Sequence, residues 1–325
     1  MKIAHLITGK VFAGIEQHVF ELAHFMEGQT TQIILCEDSI KNNFIGLDSR
    51  TFKLGSRYSP GNIFRLVALI KREGIDLLHC HGAKSSFVGG LVGSISKVKI
   101  ISTAHGVKHN YKAFQKSDAI IAVSKELASD IAHSTYISNW FNPSHINALS
   151  SRTGPIVAIG RLESVKAFDH LIQSWVNVDA KLEIIGSGPQ EPYLQKLIST
   201  LGLSSKITLV TDRSYDDIEL KYETASGLVI SSHREGGPRV ALEAMNYGIP
   251  VIGTRVGILS ELLPKELLSD PSDQKALQSL IEKIVPLLAQ LDVSAIQESI
   301  KDYYSIENAA SKTKKIYYEV LNASK

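Results

Sequence analysis

Leu228-Val229-Ile230-Ser231-Ser232-His233-Arg234-Glu235-Gly236-Gly237-Pro238-Arg239-Val240-Ala241-Leu242-Glu243-Ala244-Met245 reads as strand, turn and helix in one run. The apolar start predicts a buried strand over 228–231, the Gly-Gly pair a turn, and Pro238 the first turn of a helix over 240–247. Backbone amides from Gly236 to Arg239 would then point outward with the positive end of the helix dipole, a setting that receives a phosphate or a polarised sugar. Glu235 falls on the loop and Glu243 about one turn into the helix, so the two carboxylates are expected to reach different parts of one elongated ligand.

Working outward, short apolar runs alternate with helical-period segments along nearly the whole chain. Strands are predicted at Lys2–Ile7, Thr31–Cys36, Asp76–Cys80, Val98–Thr103 and Ala119–Val123, with helices at Ile15–Met26, Ile63–Glu73, Ser85–Ser94 and Lys125–His133. A second series has strands at Ile156–Ile159, Leu182–Ile185, Ile207–Val210 and Pro250–Gly253 besides 228–231. Its helices fall at Phe168–Val176, Tyr193–Leu201, Tyr215–Thr224 and the one after Pro238. Strands rich in Ile, Leu and Val, each followed by a helix, indicate parallel βαβ units. The polar segment from Ser138-Asn139-Trp140-Phe141-Asn142-Pro143 to Ser150-Ser151-Arg152-Thr153-Gly154-Pro155 is the natural linker. The expected fold is α/β, with two Rossmann-like domains over residues 1–145 and 152–305 and a terminal helix over 306–325 that crosses back to the first domain. Ligands in such open sheets bind beyond the carboxyl ends of the strands.

Composition narrows the class. The 325 residues are 44% hydrophobic and 21% charged, with a net charge of +2, which is ordinary globular material and not a dedicated nucleic-acid binder. Residues 1–150 hold 16 basic against 11 acidic side chains, while the remainder hold 19 against 22. Two cysteines in strand-like runs and no signal-peptide pattern suit a reducing cytoplasm. No Asp-x-Asp triplet, no Gly-x-Gly-x-x-Gly after the first strand, no P-loop and no Gly-x-Ser-x-Gly elbow occurs. These absences argue against metal-dependent GT-A transferases, nicotinamide dehydrogenases, ATPases and serine hydrolases. His79 and His81 flank Cys80 and share a strand face, and the want of a nearby carboxylate or thiolate argues against a metal there.

Glu235-Gly236 with Leu242-Glu243-Ala244-Met245 and Gly248-Ile249-Pro250-Val251-Ile252 resembles the E-x7-E signature of family-4 retaining glycosyltransferases of the GT-B fold. Gly160-Arg161-Leu162 with Lys166-Ala167-Phe168 is similar to that family's G-R-L…K-G segment, with Ala167 at the usual glycine. Gly186-Ser187-Gly188-Pro189 matches its G-x-G-P turn, for which a structural role is expected. Ala13-Gly14-Ile15-Glu16 resembles its Gly-Gly-x-E segment. His79-Cys80-His81-Gly82, Thr103-Ala104-His105-Gly106 and Ala122-Val123-Ser124 are further landmarks in the same order.

The resemblance implies two Rossmann-like domains facing each other across a cleft, and transfer of a sugar from a nucleotide-diphosphate sugar with retention at the anomeric carbon. It makes Glu235, His105, Arg161 and Lys166 the catalytic group. Gly14, Gly236, Gly237, Pro238 and Glu243 join Arg161 and Lys166 in donor binding. In that scheme Arg161 and Lys166 hold the diphosphate, Glu243 the ribose and Glu235 the donor-sugar hydroxyls, while His105 reaches the donor sugar across the cleft. His81 and Lys84 are expected on the acceptor side. No cofactor and no metal are expected, with the nucleotide sugar as co-substrate. The acceptor is expected to be a glycan or a lipid-linked glycan of bacterial surface polysaccharide, lipopolysaccharide or capsule. Lys97, Lys99, Lys108 and Lys112 suit peripheral contact with the inner face of an anionic membrane. A GT-B nucleotide-sugar epimerase or hydrolase and a non-catalytic nucleotide-sugar-binding scaffold remain as alternatives.

Overall fold

The structure, a computed structural model, describes residues 1–56, 58–107, 110–141, 152–211 and 215–323. Lys108 and linker residues 142–151 lie outside the described residues. The chain forms two compact units, Met1–Asn139 with Ile306–Lys325, and Trp140–Ser305. Each is built on one parallel sheet flanked by helices.

In unit 1 the strands are β1 (Lys2–Leu6), β2 (Thr31–Cys36), β3 (Asp48–Thr51), β4 (Leu77–His81), β5 (Lys99–Ala104), β6 (Ala119–Ala122) and β7 (Ser134–Tyr136). They are ordered β3-β2-β1-β4-β5-β6-β7. Unit 2 contains β8 (Ile156–Ile159), β9 (Leu182–Ile185), β10 (Ile207–Val210), β11 (Gly227–Ile230), β12 (Val251–Thr254) and β13 (Leu268–Ser269), ordered β10-β9-β8-β11-β12-β13. The order therefore reverses between β1 and β4 in unit 1, and between β8 and β11 in unit 2. A parallel sheet covered on both faces needs strands that are apolar at every position. Accordingly β8, β11 and β12 are buried throughout. Successive side chains feed opposite layers: Ile156 and Ala158 join a core with Leu171, Trp175 and Ile281, whereas Val157 and Ile159 join Leu228, Ile230 and Leu242.

The predicted strands all form, within a residue at either end, and the predicted helices form too. Three strands are additional. β3 (Asp48-Ser49-Arg50-Thr51), β7 and β13 each close an edge of a sheet. These three are short, and β3 and β7 carry no apolar run to read, whereas β10, the other edge of the second sheet, has the run Ile207-Thr208-Leu209-Val210 and is predicted. β7 also shortens a helix. The segment predicted as helical to His133 ends at Asp130, His133 turns through φ 61°, and the chain re-enters the sheet. Pro238 stands as the N-cap rather than inside the first turn, in extended conformation (φ −66°, ψ 102°), with the helix running Arg239–Asn246. Among the described residues no helix is long and apolar enough to cross a membrane.

Candidate functional site

In unit 2 the two loops leaving the reversal point are the chain after β8 (Gly160 onward) and the chain after β11 (Ser231–Pro238). They are tied together at several points. His233 N–H donates to the Val165 carbonyl at 2.9 Å, and the Ser231 hydroxyl to the Lys166 carbonyl at 2.8 Å. Thr254 holds the second loop from below by donating to the Ser232 carbonyl at 2.7 Å. So fixed, Lys166 Nζ meets Glu235 Oε1 in a hydrogen-bonded ion pair, and the Ser232 hydroxyl donates to the same oxygen at 2.7 Å. Both charged side chains are largely buried, at 19% and 14% exposure, so their attraction is little screened.

Glycines make this approach possible. A Cβ on Gly160 would lie 3.2 Å from Lys166 Cε, in the path of the lysine stem. The Gly186–Pro189 turn backs the first loop: a Cβ on Gly186 would lie 1.9 Å from the Gly160 carbonyl oxygen, and one on Gly188 2.6 Å from that of Leu162. Lys166 closes a short 3-10 turn, and Ala167 after it adopts the left-handed conformation (φ 49°, ψ 41°) before the helix Phe168–Ser174. An L side chain there costs about 1 kcal/mol. Ala167→Gly is therefore expected to stabilise unit 2 by about 1 kcal/mol, roughly 2–4 °C in Tm. A lowered Tm by calorimetry would contradict that conformation.

Arg161 is not in this cluster. Its guanidinium is 62% exposed and pairs with Glu163 at 2.6 Å. Glu243 is buried. Its carboxylate accepts from the Tyr222 hydroxyl at 2.9 Å and faces Arg239 Nη2 at 3.6 Å, and Arg239 in turn lies 5.9 Å from the Trp140 ring centre. Gly236, Gly237 and Pro238 fall in the loop before the helix, and Gly257 (φ 50°) presses on it, since a Cβ there would lie 2.7 Å from the Gly236 carbonyl oxygen.

In unit 1 the reversal point is occupied by histidines. His5 of β1, His79 and His81 of β4, His105 in the loop after β5 and His18 on the helix Gly14–Met26 form one group. His81 Nε2 lies 3.0 Å from His5 Nδ1 and His81 Nδ1 3.2 Å from His105 Nε2. His79 lies 2.7 Å from both the Thr103 and Tyr317 hydroxyl oxygens, Tyr317 coming from the helix Ile306–Asn322. The want of a carboxylate or thiolate beside His79 and His81 counts against a metal there, yet His5 completes a triad of nitrogens with that pair, and His18 and His105 complete another with His81. Among the described residues no carboxylate joins either triad. Gly14 opens its helix with open space where a Cβ would lie, and Glu16 accepts from the Ala13 N–H at 3.2 Å. Ala13 itself is extended (φ −144°), a conformation alanine takes without strain. Lys84 lies half-buried in the first turn of the helix Ala83–Ser96.

Burial pushes His5 down to about 4 from its ordinary 6.5 and holds His79 and His81 well below that value. Below pH 6.5 the unfolded chain takes up protons that these folded histidines refuse. Their effect on stability is absent above pH 6.5, and stability falls as pH drops towards 4. The slope reaches about 1.4 kcal/mol per pH unit for each histidine. Urea midpoints measured between pH 7 and about 4.5 check this, and a flat series would contradict it.

Several members of these sites carried no sequence signal. Ser232 is one polar residue among many after a strand, and Tyr222 and Arg239 reach Glu243 only through the fold. His5 had a signal, a histidine inside an otherwise apolar first strand, but its partners come from β2 and β4.

Residues 145–299 match the family model described as Glycosyl transferases group 1, and residues 12–139 the model described as Glycosyltransferase Family 4. An uncharacterized glycosyltransferase of Methanocaldococcus jannaschii is 27% identical over 94% of this chain and 90% of its own length. Anabaena HepE, solved in complex with UDP-glucose, superposes with a TM-score of 0.84 at 17% identity, covering 98% of this chain and 100% of its own. The lipopolysaccharide outer core galactosyltransferase WaaB, in its apo form, superposes with a TM-score of 0.76 at 19% identity, covering 98% and 100%.

Proposed function

Because this chain belongs to the nucleotide-sugar-dependent GT-B glycosyltransferases related to families 1 and 4, we propose that it transfers a hexose from a uridine-diphosphate sugar, with retention and without a metal, to a glycan or lipid-linked acceptor of a bacterial surface polysaccharide. The observation that carries the reading is the Lys166–Glu235 pair at the reversal point of the unit 2 sheet. Departure of a nucleotide diphosphate builds negative charge on phosphate as positive charge grows at the anomeric carbon. A largely buried ammonium beside a largely buried carboxylate suits those two charges. In this reading Lys166 and Arg161 take the diphosphate, with Arg161 exchanging Glu163 for phosphate oxygens. The loop amides and Glu235 take the sugar, Glu243 the ribose and His105 a sugar hydroxyl, while His81 and Lys84 belong to the acceptor side. In this reading Lys166, joined by Arg161 once it leaves Glu163, neutralises the leaving group without a metal.

The uridine base is supported by HepE with UDP-glucose, and the surface-polysaccharide role by WaaB. Incubation with UDP-glucose in EDTA, without acceptor, tests the mechanism. Early ¹H spectra should show slow release of α-glucose. Release of β-glucose would remove retention, and release at transferase-like rates would favour a hydrolase. The same reading places the enzyme in the cytoplasm, in peripheral contact with the inner membrane face. Exposed Lys97 and Lys112 suit that contact, while Lys99 is committed to Asp118 at 3.1 Å. Sedimentation with anionic vesicles at low salt tests it, and no binding there would remove it.

A further inference from the structure

Ser231 and Ser232 follow β11 directly, both are buried, and each holds a different member of the Lys166–Glu235 pair. The Ser231 hydroxyl donates to the backbone carbonyl of Lys166 at 2.8 Å, and the Ser232 hydroxyl to Glu235 Oε1 at 2.7 Å. Ser232 is anchored in its turn. Its own carbonyl accepts from the hydroxyl of Thr254, a buried residue that ends β12, at 2.7 Å. The hydroxyl is therefore presented to Glu235 from a backbone tied to the sheet on both sides. An ionised carboxylate only accepts, so the Ser232 proton lies between the two side chains and points at Glu235. Lys166 Nζ meets that same oxygen. Among the described residues, both of these donors fall on Oε1 and neither on Oε2.

We propose that Ser232 is the positioning residue of Glu235: its hydroxyl keeps Oε1 in place when the donor draws the Lys166 ammonium onto phosphate, so that Oε2 faces the donor sugar before and after the donor binds. The proposal rests on the reading of Lys166 as the diphosphate residue and of Glu235 as the sugar residue. Under that reading the ion pair seen here belongs to the enzyme without donor. Phosphate oxygens compete with Oε1 for the ammonium, and each contact that Lys166 makes to phosphate loosens its hold on Glu235. A flexible glutamate side chain released at that moment would lose its aim just as positive charge grows at the anomeric carbon. The Ser232 hydroxyl bears no net charge and has no such second claim on it, so it stays with Oε1 through the exchange. It acts on the reaction through Glu235 alone, as the supporting contact that locks a working group.

Release of UDP from UDP-glucose in EDTA, followed at high enzyme concentration, and titration with UDP test this on the full-length wild type, Ser232→Ala, Glu235→Ala and the double variant. Ser232→Ala is expected to lower kcat about tenfold, with the Kd for UDP within about twofold. In the Glu235→Ala background the same substitution is expected to change kcat by less than about twofold, because a residue that acts through another then has nothing to act on. Ser232→Cys, whose thiol is a weaker donor, should fall between serine and alanine. It carries the same cycle if the alanine variant does not fold. An unchanged kcat in Ser232→Ala, a tenfold loss that recurs in the Glu235→Ala background, or a UDP Kd that rises as far as kcat falls would overturn the positioning role and leave Glu235 where it is. Wild-type turnover in Glu235→Ala would overturn the reading of Glu235 itself, and the proposal with it.

Discussion

Glu235→Ala is expected to lower kcat about 10³-fold, roughly 4 kcal/mol of transition-state stabilisation, while nucleotide affinity changes by less than about threefold. The carboxylate is largely buried and held by the Ser232 hydroxyl and Lys166 at once, so it is ordered before substrate arrives. Ordered charge costs no reorganisation when the sugar becomes oxocarbenium-like, and that is where its effect should concentrate. Nucleotide binding is a different matter. Removing Glu235 deletes a negative group and leaves the Lys166 ammonium available to phosphate, so diphosphate affinity has little reason to fall. Steady-state kinetics together with UDP titration separate the two quantities. Wild-type turnover in the variant would remove Glu235 from the site.

Lys166→Ala is expected to act on binding and turnover together, lowering kcat/KM for the donor about 10²–10³-fold. In the proposed reading the ammonium meets the diphosphate in the ground state and more strongly as the leaving group gains charge, so KM should rise and kcat should fall. A charge-reversal control distinguishes loss of the cation from loss of fold: Lys166→Glu should be worse than alanine, whereas Lys166→Arg should keep part of the activity. Arg161→Ala is expected to weaken the same two parameters by a smaller factor, about tenfold, because its guanidinium is mostly exposed and must leave Glu163 to reach phosphate. A rise in KM alone for Lys166→Ala would make it a binding residue only.

Much of the fold was legible because fully buried parallel strands carry their own signature. Ile156-Val157-Ala158-Ile159, Leu228-Val229-Ile230 and Val251-Ile252-Gly253 form where the apolar runs put them. The edge strands β3, β7 and β13 were not legible, since an edge needs neither length nor apolarity. Among the candidate site residues, those on loops with a local pattern could be singled out: Lys166, Glu235 and His105 stand in short segments of fixed order. What the pattern could not give was pairing. Lys166 and Arg161 read as one diphosphate clamp, yet Lys166 is bound to Glu235 and Arg161 to Glu163. The partners of Glu243 lie 21 residues away in Tyr222 and one helical turn away in Arg239. The glycine-to-alanine exchanges were equally unreadable from sequence, because only backbone angles show that Ala13 is relaxed and Ala167 left-handed.

Thermal unfolding of the wild-type protein and of Lys166→Ala, each with UDP and in EDTA, bears most directly on a metal-free diphosphate site at Lys166. At a hundredfold excess over Kd, UDP should stabilise the wild type by about 2.7 kcal/mol, roughly 5–10 °C, with EDTA present, and should leave the Lys166→Ala midpoint nearly unmoved. A wild-type midpoint that does not respond to UDP or any other nucleoside diphosphate, that responds only when divalent metal is added, or that shifts equally in the variant would contradict the account.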